Sequence, residues 1–194
     1  LKTNMGKPGL AYFGKRHLTQ EIIKQFKLGF APADWNRLYK DFTQKKHIPE
    51  EILVKAGLIG KKNGRCYDTF RNRCMFPIMD LRGKVVAFGG RILNAEESHA
   101  KYLNSPETSI FNKRKLLFPI YQALPEIKKR RQAIMVEGYM DAISLHANGI
   151  KNAVASLGTA FTVEQARLLK KYADEVVFSY DMDSAGQNAT KRAL

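Results

Sequence analysis

Residues 132–141 read QAIMVEGYMD. Within this stretch, the apolar residues 133–136 are followed by an acid, Glu137, and a glycine, Gly138. Residues 133–136 are typical of a short buried β-strand, and residues 139–148 have the apolar spacing of a helix that Gly149 ends. The stretch therefore predicts a strand that turns directly into a helix, with Glu137 at the turn.

The same order of elements follows twice more. We predict strands at 152–157 and 175–180, a helix from Thr162 to Tyr172, and a last helix over 184–194. Thr162 and Gln165 have the spacing of a capping box, which marks a helix start. Apolar strands that alternate with helices are typical of an α/β fold with a parallel, Rossmann-like sheet covered on both faces.

Acidic residues follow two of the predicted strands. Glu137 comes directly after the first strand, and Asp181 and Asp183 come directly after the third. The carboxyl ends of parallel strands meet at one edge of a sheet, so these carboxylates converge if the two strands are neighbours. Converging carboxylates repel one another unless a cation neutralises them, and Mg²⁺ prefers oxygen ligands of this kind.

Two interpretations of these acids stay open. In the first, Glu137, Asp181 and Asp183 hold Mg²⁺, or Mn²⁺ in its place, for phosphate chemistry. In the second, Asp183 caps the last helix, and Glu137 and Asp181 are solvated loop residues.

The first third of the chain predicts a cluster of short helices. Apolar spacing and Pro or Gly boundaries place them at 9–16, 19–26, 34–45 and 50–55. We expect the aromatic residues of the third helix, Trp35 among them, to lie in the core and not in a binding stripe.

The middle of the chain predicts a β-hairpin. Residues 61–64, KKNG, predict a turn. Residues 75–79 and 85–88 have strand character and are joined by a turn at 80–83. Residues 94–111 lack periodicity, so we expect an exposed loop there.

Basic residues are concentrated in the first two thirds of the chain. Residues 1–131 carry 27 Lys and Arg against 11 Asp and Glu, whereas residues 132–194 carry 6 against 7. The net charge of +16 in the first part favours a nucleic acid partner over a membrane, because no basic amphipathic segment with exposed aromatics occurs. A solvated lysine-rich surface is the alternative.

Other features exclude several classes of protein. No run of about 18 apolar residues and no signal peptide occurs, so we expect a soluble, cytoplasmic protein without a membrane partner. The two cysteines, Cys66 and Cys74, are too few for a disulfide framework or a four-ligand zinc site. The chain starts at Leu1 and stops inside a predicted helix, so we expect a fragment of a longer protein.

A series of motifs resembles those of one enzyme family. EGYMD at 137–141, ASLGT at 155–159 and DMDSAG at 181–186 resemble the successive motifs of a Toprim domain. Upstream, RNRCMFPI at 71–78, FGGR at 88–91 and KYLNSPET at 101–108 resemble the RNA polymerase domain of bacterial DNA primases. The resemblance runs from about Tyr12 to Leu194.

This resemblance implies a domain organisation and a set of site residues. It implies a basic mixed α/β N-terminal subdomain at 1–130 and a Toprim subdomain, truncated at its C-terminus, at 131–194. Glu137, Asp181 and Asp183 match the family's catalytic and metal-binding acids. Asp141 matches the acid that closes the first Toprim motif, either as a catalytic group or by ordering Glu137 and the backbone.

Further residues match motifs that face the template or the incoming nucleotide in the family. They are Arg71, Arg73, Arg91, Lys101, Tyr102 and Asn104. For Arg71 and Arg73, the alternative is that they alternate along a strand edge and only meet solvent.

The implied activity is DNA-templated synthesis of short RNA primers from ribonucleoside triphosphates, in bacterial or phage replication. The implied partners are single-stranded DNA, the triphosphates, and a replicative helicase that binds a C-terminal region absent from this chain. Zinc is implied only for an absent N-terminal domain. The family has a further acidic motif beyond the last residue here, so we expect weak metal binding, and the resemblance does not imply activity of this chain alone.

Two rival functions stay open. Another Toprim enzyme, a topoisomerase or a nuclease, would use the same acids to cleave DNA. A passive single-stranded DNA-binding module would use the acids only to cap helices. The motifs at 71–78 and 101–108 resemble primases and not the cleaving enzymes, and metal titration separates an enzyme from a passive module.

Overall fold

The computed structural model describes residues 1–93 and 100–181. Contacts between residues divide the chain into two compact units. The first comprises Leu1–Pro77 and Ala87–Ile110, and the second comprises Ile78–Val86 and the residues from Phe111 onward. The subdomain boundary at residue 130 stays a prediction.

Short helices open the first unit, in the order that the sequence predicts. They are α1 (Lys7–Lys15), α2 (Gln20–Gln25), α3 (Arg37–Lys40) and α4 (Glu50–Lys55). The Thr19 hydroxyl accepts a hydrogen bond from the Ile22 N–H at 3.3 Å, so a side chain satisfies one of the unpaired donors in the first turn of α2.

The prediction of one regular helix over 34–45 is wrong. The Asp68 carboxylate accepts the N–H groups of Leu38 and Tyr39, at 2.7 and 3.0 Å, and this cap fixes the start of α3. A π-helical segment, Asp41–Lys45, continues from α3. Trp35 precedes the helix and is 59% exposed, so it is not the core residue that we expected.

The first six strands of the chain form two sheets. They are β1 (Gly29–Ala31), β2 (Ile59–Lys62), β3 (Arg65–Asp68), β4 (Arg73–Met79), β5 (Val85–Ile92) and β6 (Tyr102–Asn104). One sheet has the order β1–β4–β5–β6, and β2 and β3 form the other. The predicted hairpin is confirmed as β4 and β5, and both strands are longer than the sequence indicated.

The turn predicted at 61–64 is confirmed, but the strands on either side of it were not predicted. β2 and β3 form a hairpin whose turn residues Asn63 and Gly64 have φ angles of 50° and 74°, as a type I′ turn requires. The exposed loop that we expected at 94–111 is wrong in part, because Leu103 of β6 pairs with β5 and because Ser105 and Phe111 are buried. Residues 94–99 lie outside the described residues.

The second unit contains the predicted parallel sheet. Its elements are α5 (Ile120–Arg130), β7 (Gln132–Val136), α6 (Tyr139–Ala147), β8 (Ala153–Ala155), α7 (Val163–Lys170) and β9 (Glu175–Phe178). Both β8 and β9 pair in parallel with β7, so the strand order is β8–β7–β9. The α/β fold class is confirmed, and the strands that carry Glu137 and Asp181 are neighbours.

Local signals explain most of this unit. The capping box at α7 is confirmed, since the Gln165 N–H donates to the Thr162 hydroxyl at 3.2 Å and the Thr162 N–H donates to the Gln165 side chain at 3.1 Å. Met135, Val154 and Leu169 are buried in one apolar core. The predicted helix over 184–194 lies outside the described residues.

None of the helices in the described ranges combines the length and the apolar composition needed to cross a bilayer. Cys66 and Cys74 are free thiols. Burial raises the pKa of Cys74 to about 12, so this thiol stays protonated at neutral pH.

Candidate active site and nucleic-acid surface

Two of the predicted acids meet at the carboxyl edge of the parallel sheet. Glu137 directly follows β7, and Asp181 follows β9 after two intervening residues. The backbone N–H of Asp181 donates a hydrogen bond to Oε1 of Glu137 at 3.0 Å. Both residues are exposed.

The chain after β9 is fixed by the sheet and by aromatic packing. The Ser179 N–H donates to the carbonyl of Met135 at 2.8 Å, which continues the ladder beyond the strand. The Tyr180 ring lies 5.5 Å from the Phe178 ring in an edge-to-face contact. Burial, and then the charge of Glu137, raise the pKa of Tyr180, so its phenol is neutral at physiological pH.

Asp141 acts on the backbone beside Glu137. Its carboxylate Oδ2 accepts the N–H of Gly138 at 3.0 Å, which caps the first turn of α6. Gly138 has extended φ and ψ angles of −142° and 178°, so the chain leaves β7 extended and enters α6 at the next residue. The structure thus places Asp141 where it orders the turn that carries Glu137.

The donor set at this edge fits a hard divalent cation. Glu137 and Asp181 supply carboxylate oxygens, and Oε1 of Glu137 accepts the backbone N–H of Asp181. Across residues 1–93 and 100–181, no three His, Cys, Asp or Glu side chains gather as a metal-binding group. Asp183, the third predicted ligand, lies outside these ranges.

Arg73 is a buried structural residue of the first unit. It is only 6% exposed, and its guanidinium donates to the carbonyls of Gly90 and Ala100 at 3.0 and 3.1 Å. Burial, and then the charge of Arg71, lower the pKa of Arg73. The alternative in which Arg73 meets solvent on a strand edge is therefore wrong.

Arg71 belongs to an aromatic platform that sequence reasoning missed. Its guanidinium carbon lies 4.5 Å from the centre of the Trp35 ring and 5.4 Å from that of Tyr67, and it donates to the Asp68 carbonyl. A Cβ on Gly60 would clash with the Tyr67 ring, so a glycine at this position leaves room for the ring across the β2–β3 hairpin. Lys62 and Arg65 lie near these rings. They could have indicated the platform from the sequence, because basic residues with interleaved aromatics are typical of nucleic-acid surfaces.

The remaining predicted binding residues lie on or beside two paired strands. Arg91 of β5 stands opposite Tyr102 of β6, and Gly89 stands opposite Asn104. Lys101 and Tyr102 are exposed. The Arg91 guanidinium carbon lies 4.6 Å from the centre of the Tyr12 ring, a cation–π contact that fixes the direction of the arginine.

Comparison with known proteins decides the family. The model of the DNA primase catalytic core, N-terminal domain, matches residues 1–124, and a Toprim-like model matches residues 134–194. The chain belongs to the DNA primase catalytic-core family. The DNA primase of Clostridium acetobutylicum is 51% identical over 183 residues, which cover 94% of this chain and 30% of that protein.

Solved structures of primase catalytic domains have the same fold. A structure of the DnaG primase catalytic domain bound to ssDNA is similar with a TM-score of 0.90 and 41% identity, covering 100% of this chain and 60% of that chain. The RNA polymerase domain of Mycobacterium tuberculosis primase DnaG has a TM-score of 0.92 and 35% identity, covering 100% of this chain and 65% of that chain. This primase chain thus spans less than two thirds of these relatives.

Proposed function

We propose that this chain is part of an enzyme that synthesises short RNA primers on single-stranded DNA from ribonucleoside triphosphates. The observation that carries the proposal is the pairing of Glu137 with Asp181 at the carboxyl edge of a parallel sheet, in a chain of the primase family. In this reaction, the 3′-hydroxyl of one nucleotide attacks the α-phosphate of the next, and pyrophosphate leaves.

Glu137, Asp181 and Asp183 would hold Mg²⁺, with Mn²⁺ as a substitute. The bound cation supplies charge stabilisation for triphosphate oxygens and lowers the pKa of a coordinated hydroxyl. Glu137 offers a carboxylate whose direction is fixed by the Asp181 N–H. Asp141 contributes by holding the Gly138 backbone, and so the turn that presents Glu137.

The basic first unit would bind the template and the incoming nucleotide. Lys101 and Arg91 offer cations to phosphates, Tyr102 offers an exposed ring, and Asn104 offers an amide on the same strand. The exposed Trp35, backed by Arg71, offers a stacking face for an unpaired base. One similar solved domain is described as bound to ssDNA, which agrees with this assignment.

The complete enzyme would work in the cytoplasm, where replication of a bacterial chromosome takes place. A replicative helicase is its expected partner through a region outside this chain.

A product assay tests the proposed function. The longer primase that contains this sequence is incubated with single-stranded DNA, Mg²⁺ and labelled ribonucleoside triphosphates. We expect short RNA that requires both template and metal. Metal-dependent cleavage of the DNA would favour the rival Toprim enzymes instead, and DNA binding without any product would favour a passive module.

A further inference from the structure

The second unit carries acidic and basic side chains at opposite edges of its parallel sheet. Glu137, Asp141 and Asp181 lie at the carboxyl edge, which is the candidate site. At the other edge, where the strands begin, exposed basic residues precede all three strands. We call these seven residues the amino-edge cluster: Lys128, Lys129, Arg130 and Arg131 before β7, Lys151 before β8, and Lys170 and Lys171 before β9.

Side-chain contacts join the end of α5 to the segment between α7 and β9. The Arg131 guanidinium donates to both carboxylate oxygens of Asp174, at 3.0 and 2.6 Å, and to the Tyr172 carbonyl at 3.0 Å. The Lys128 ammonium lies 5.1 Å from the centre of the Tyr172 ring. The basic residues that precede β7 and β9 therefore form one continuous surface.

Lys151 joins this surface through Glu126 of α5. Arg130 forms an ion pair with Glu126. This hydrogen bond, together with the charges of Arg130, Lys129 and Lys151, lowers the pKa of Glu126, and burial opposes the change. Lys129 and Lys151 are thus close to one carboxylate that Arg130 already occupies.

The amino edge has an excess of positive charge. The seven basic residues stand against three acidic ones, Glu126, Asp174 and Glu175, so the net charge is +4. Both arginines are paired with acids, but none of the five lysines forms an ion pair with a residue of the described ranges. Cations at the ends of α5 and α7 also complement the helix dipoles, but two helix ends together carry only about one negative charge. The edge therefore suits an anionic partner.

The pattern of this edge favours an acidic protein segment over a nucleic acid. Asp174 and Glu175 are exposed among the lysines, and a phosphate backbone, with a charge at every nucleotide, would be repelled by them. A peptide can place carboxylates opposite the lysines and neutral residues opposite these acids. The Tyr172 ring, which could stack on a base, is half-buried and lies beneath Lys128.

We propose that the amino-edge cluster binds an acidic segment of a partner protein that also carries an apolar residue. The carboxylates of the segment would pair with the unpaired lysines. Its apolar side chain would pack on Ile150, which directly precedes Lys151 and is 38% exposed. The candidate metal site lies at the opposite edge of the sheet, so the segment leaves it open. This inference does not depend on the proposed primer synthesis.

The test uses the whole chain and three short peptides labelled with fluorescein. The first peptide consists of Asp and Glu around one Leu, and the second has Ser in place of that Leu. The third keeps the Leu and has Asn and Gln in place of the acids. Fluorescence anisotropy should show saturable binding of the first peptide, weaker binding of the second and no measurable binding of the third.

A variant that lacks four lysines locates the bound peptide. It combines Lys128→Gln, Lys129→Gln, Lys170→Gln and Lys171→Gln. We expect at least about tenfold weaker binding of the first peptide, the combined scale of several exposed ion pairs. Binding of an oligothymidylate should not change, because the proposed template surface lies in the first unit.

The matched control makes the same charge change at four exposed lysines of the first unit. It combines Lys24→Gln, Lys40→Gln, Lys46→Gln and Lys55→Gln, and it should bind the first peptide as the wild type does. A cooperative melt confirms that each variant folds. If the amino-edge variant does not fold, the pair Lys129→Gln and Lys170→Gln replaces it, with an expected loss of roughly threefold.

Ile150→Thr tests the apolar contact. This variant should weaken the Leu peptide to about the affinity of the Ser peptide, and it should leave the Ser peptide unchanged. Equal weakening of both peptides would show that Ile150 does not receive the Leu side chain, and would overturn that part of the proposal.

Three outcomes would overturn the proposal as a whole. The first is equal binding of the acidic and the neutral peptide by the wild type. The second is equal affinity of the acidic peptide for the amino-edge variant and for the matched control, which would place the peptide elsewhere. The third is a DNA hairpin duplex that displaces the peptide from the wild type and loses affinity only in the amino-edge variant, which would assign this edge to nucleic acid.

Discussion

The backbone N–H of Asp181 donates to Oε1 of Glu137 at 3.0 Å, so one carboxylate also serves as the hydrogen-bond partner of the segment that carries the second acid. This bond joins the ends of β7 and β9, which are neighbours in the parallel sheet. The two acids are therefore brought together by the fold before any ligand binds.

Metal binding by this chain should depend on the charge of both acids. Glu137→Gln keeps an oxygen that can accept the Asp181 N–H, so we expect its unfolding free energy to change by less than about 0.5 kcal/mol. Calorimetric titration with Mn²⁺ should nevertheless show at least about tenfold weaker binding for Glu137→Gln and for Asp181→Asn, since each removes an anionic ligand. Glu175→Gln, at the opposite end of β9, is the matched control. Unchanged metal uptake in both site variants would refute a metal site at this edge.

Single-stranded DNA should stack on Trp35. Replacing this exposed ring in Trp35→Ala should cost about 1–3 kcal/mol of binding free energy, measured by fluorescence anisotropy with an oligothymidylate. The melting temperature should hardly change, because Trp35 is 59% exposed. Ile110→Ala, at a residue of the same unit that is 67% exposed, removes a comparable apolar surface and should leave DNA binding unchanged. Equal losses in the two variants would speak against stacking on Trp35.

Substitution of Arg73 should lower the stability of the fold, whereas substitution of Lys101 should change only DNA binding. Arg73→Met leaves the carbonyls of Gly90 and Ala100 without their buried donor, and we expect a loss of about 1–3 kcal/mol in urea unfolding. Lys101→Ala should leave unfolding unchanged and lower the salt dependence of DNA binding by about one unit, as expected for one phosphate contact. A stable Arg73→Met variant with weakened DNA binding would reverse this assignment.

The stability of the second unit should fall in mild acid because of His146. This side chain is 2% exposed and lies 2.9 Å from the Ala153 carbonyl through Nε2. Burial lowers the pKa of His146 below its unfolded value of 6.5, an effect that the Ala153 carbonyl opposes and Lys151 reinforces. The folded state therefore binds fewer protons than the unfolded state. The contribution of His146 to the unfolding free energy is fully present above the unfolded pKa of 6.5 and is lost as the pH falls through the folded pKa.

Chemical unfolding between about pH 7.5 and 5 checks this dependence. We expect His146→Gln to flatten the pH profile, because glutamine cannot gain a proton in this range. The control is His17→Gln, at an exposed histidine, which should keep the wild-type profile. If His146→Gln retains the full acid sensitivity, another group is responsible.

The second unit was largely predictable because its signals are local. Apolar runs marked the strands, and the Thr162–Gln165 capping box marked the start of α7. α5 was missed although Ile120, Ala123 and Ile127 keep a helical spacing, because Pro125 lies inside the helix, where a proline normally argues against one. The strand order was not local information, since it depends on which strands pair across the sheet.

The sequence predicted which residues form the candidate site, but it predicted their burial and hydrogen-bond partners less well. Their positions at the ends of predicted strands indicated that Glu137 and Asp181 lie close together, and the hydrogen bond from the Asp181 N–H to Glu137 agrees with this. The burial of Arg73 could not be predicted, because its partners are carbonyls of β5 and of the segment before β6. Trp35 was expected in the core, since a long helix would have turned its ring inward, but the Asp68 cap starts α3 only after it.

Primer synthesis by a Glu137→Gln variant tests the central claim most directly. The longer primase that contains this sequence is assayed for RNA synthesis on single-stranded DNA, and thermal melting is recorded for the same preparations. We predict a loss of at least about 100-fold with an unchanged melting temperature, the scale seen when one electrostatic stabiliser of a transition state is removed. The Glu175→Gln control should synthesise primers as the wild type does. Near-normal synthesis by a folded Glu137→Gln variant would contradict the assignment of this carboxylate to catalysis.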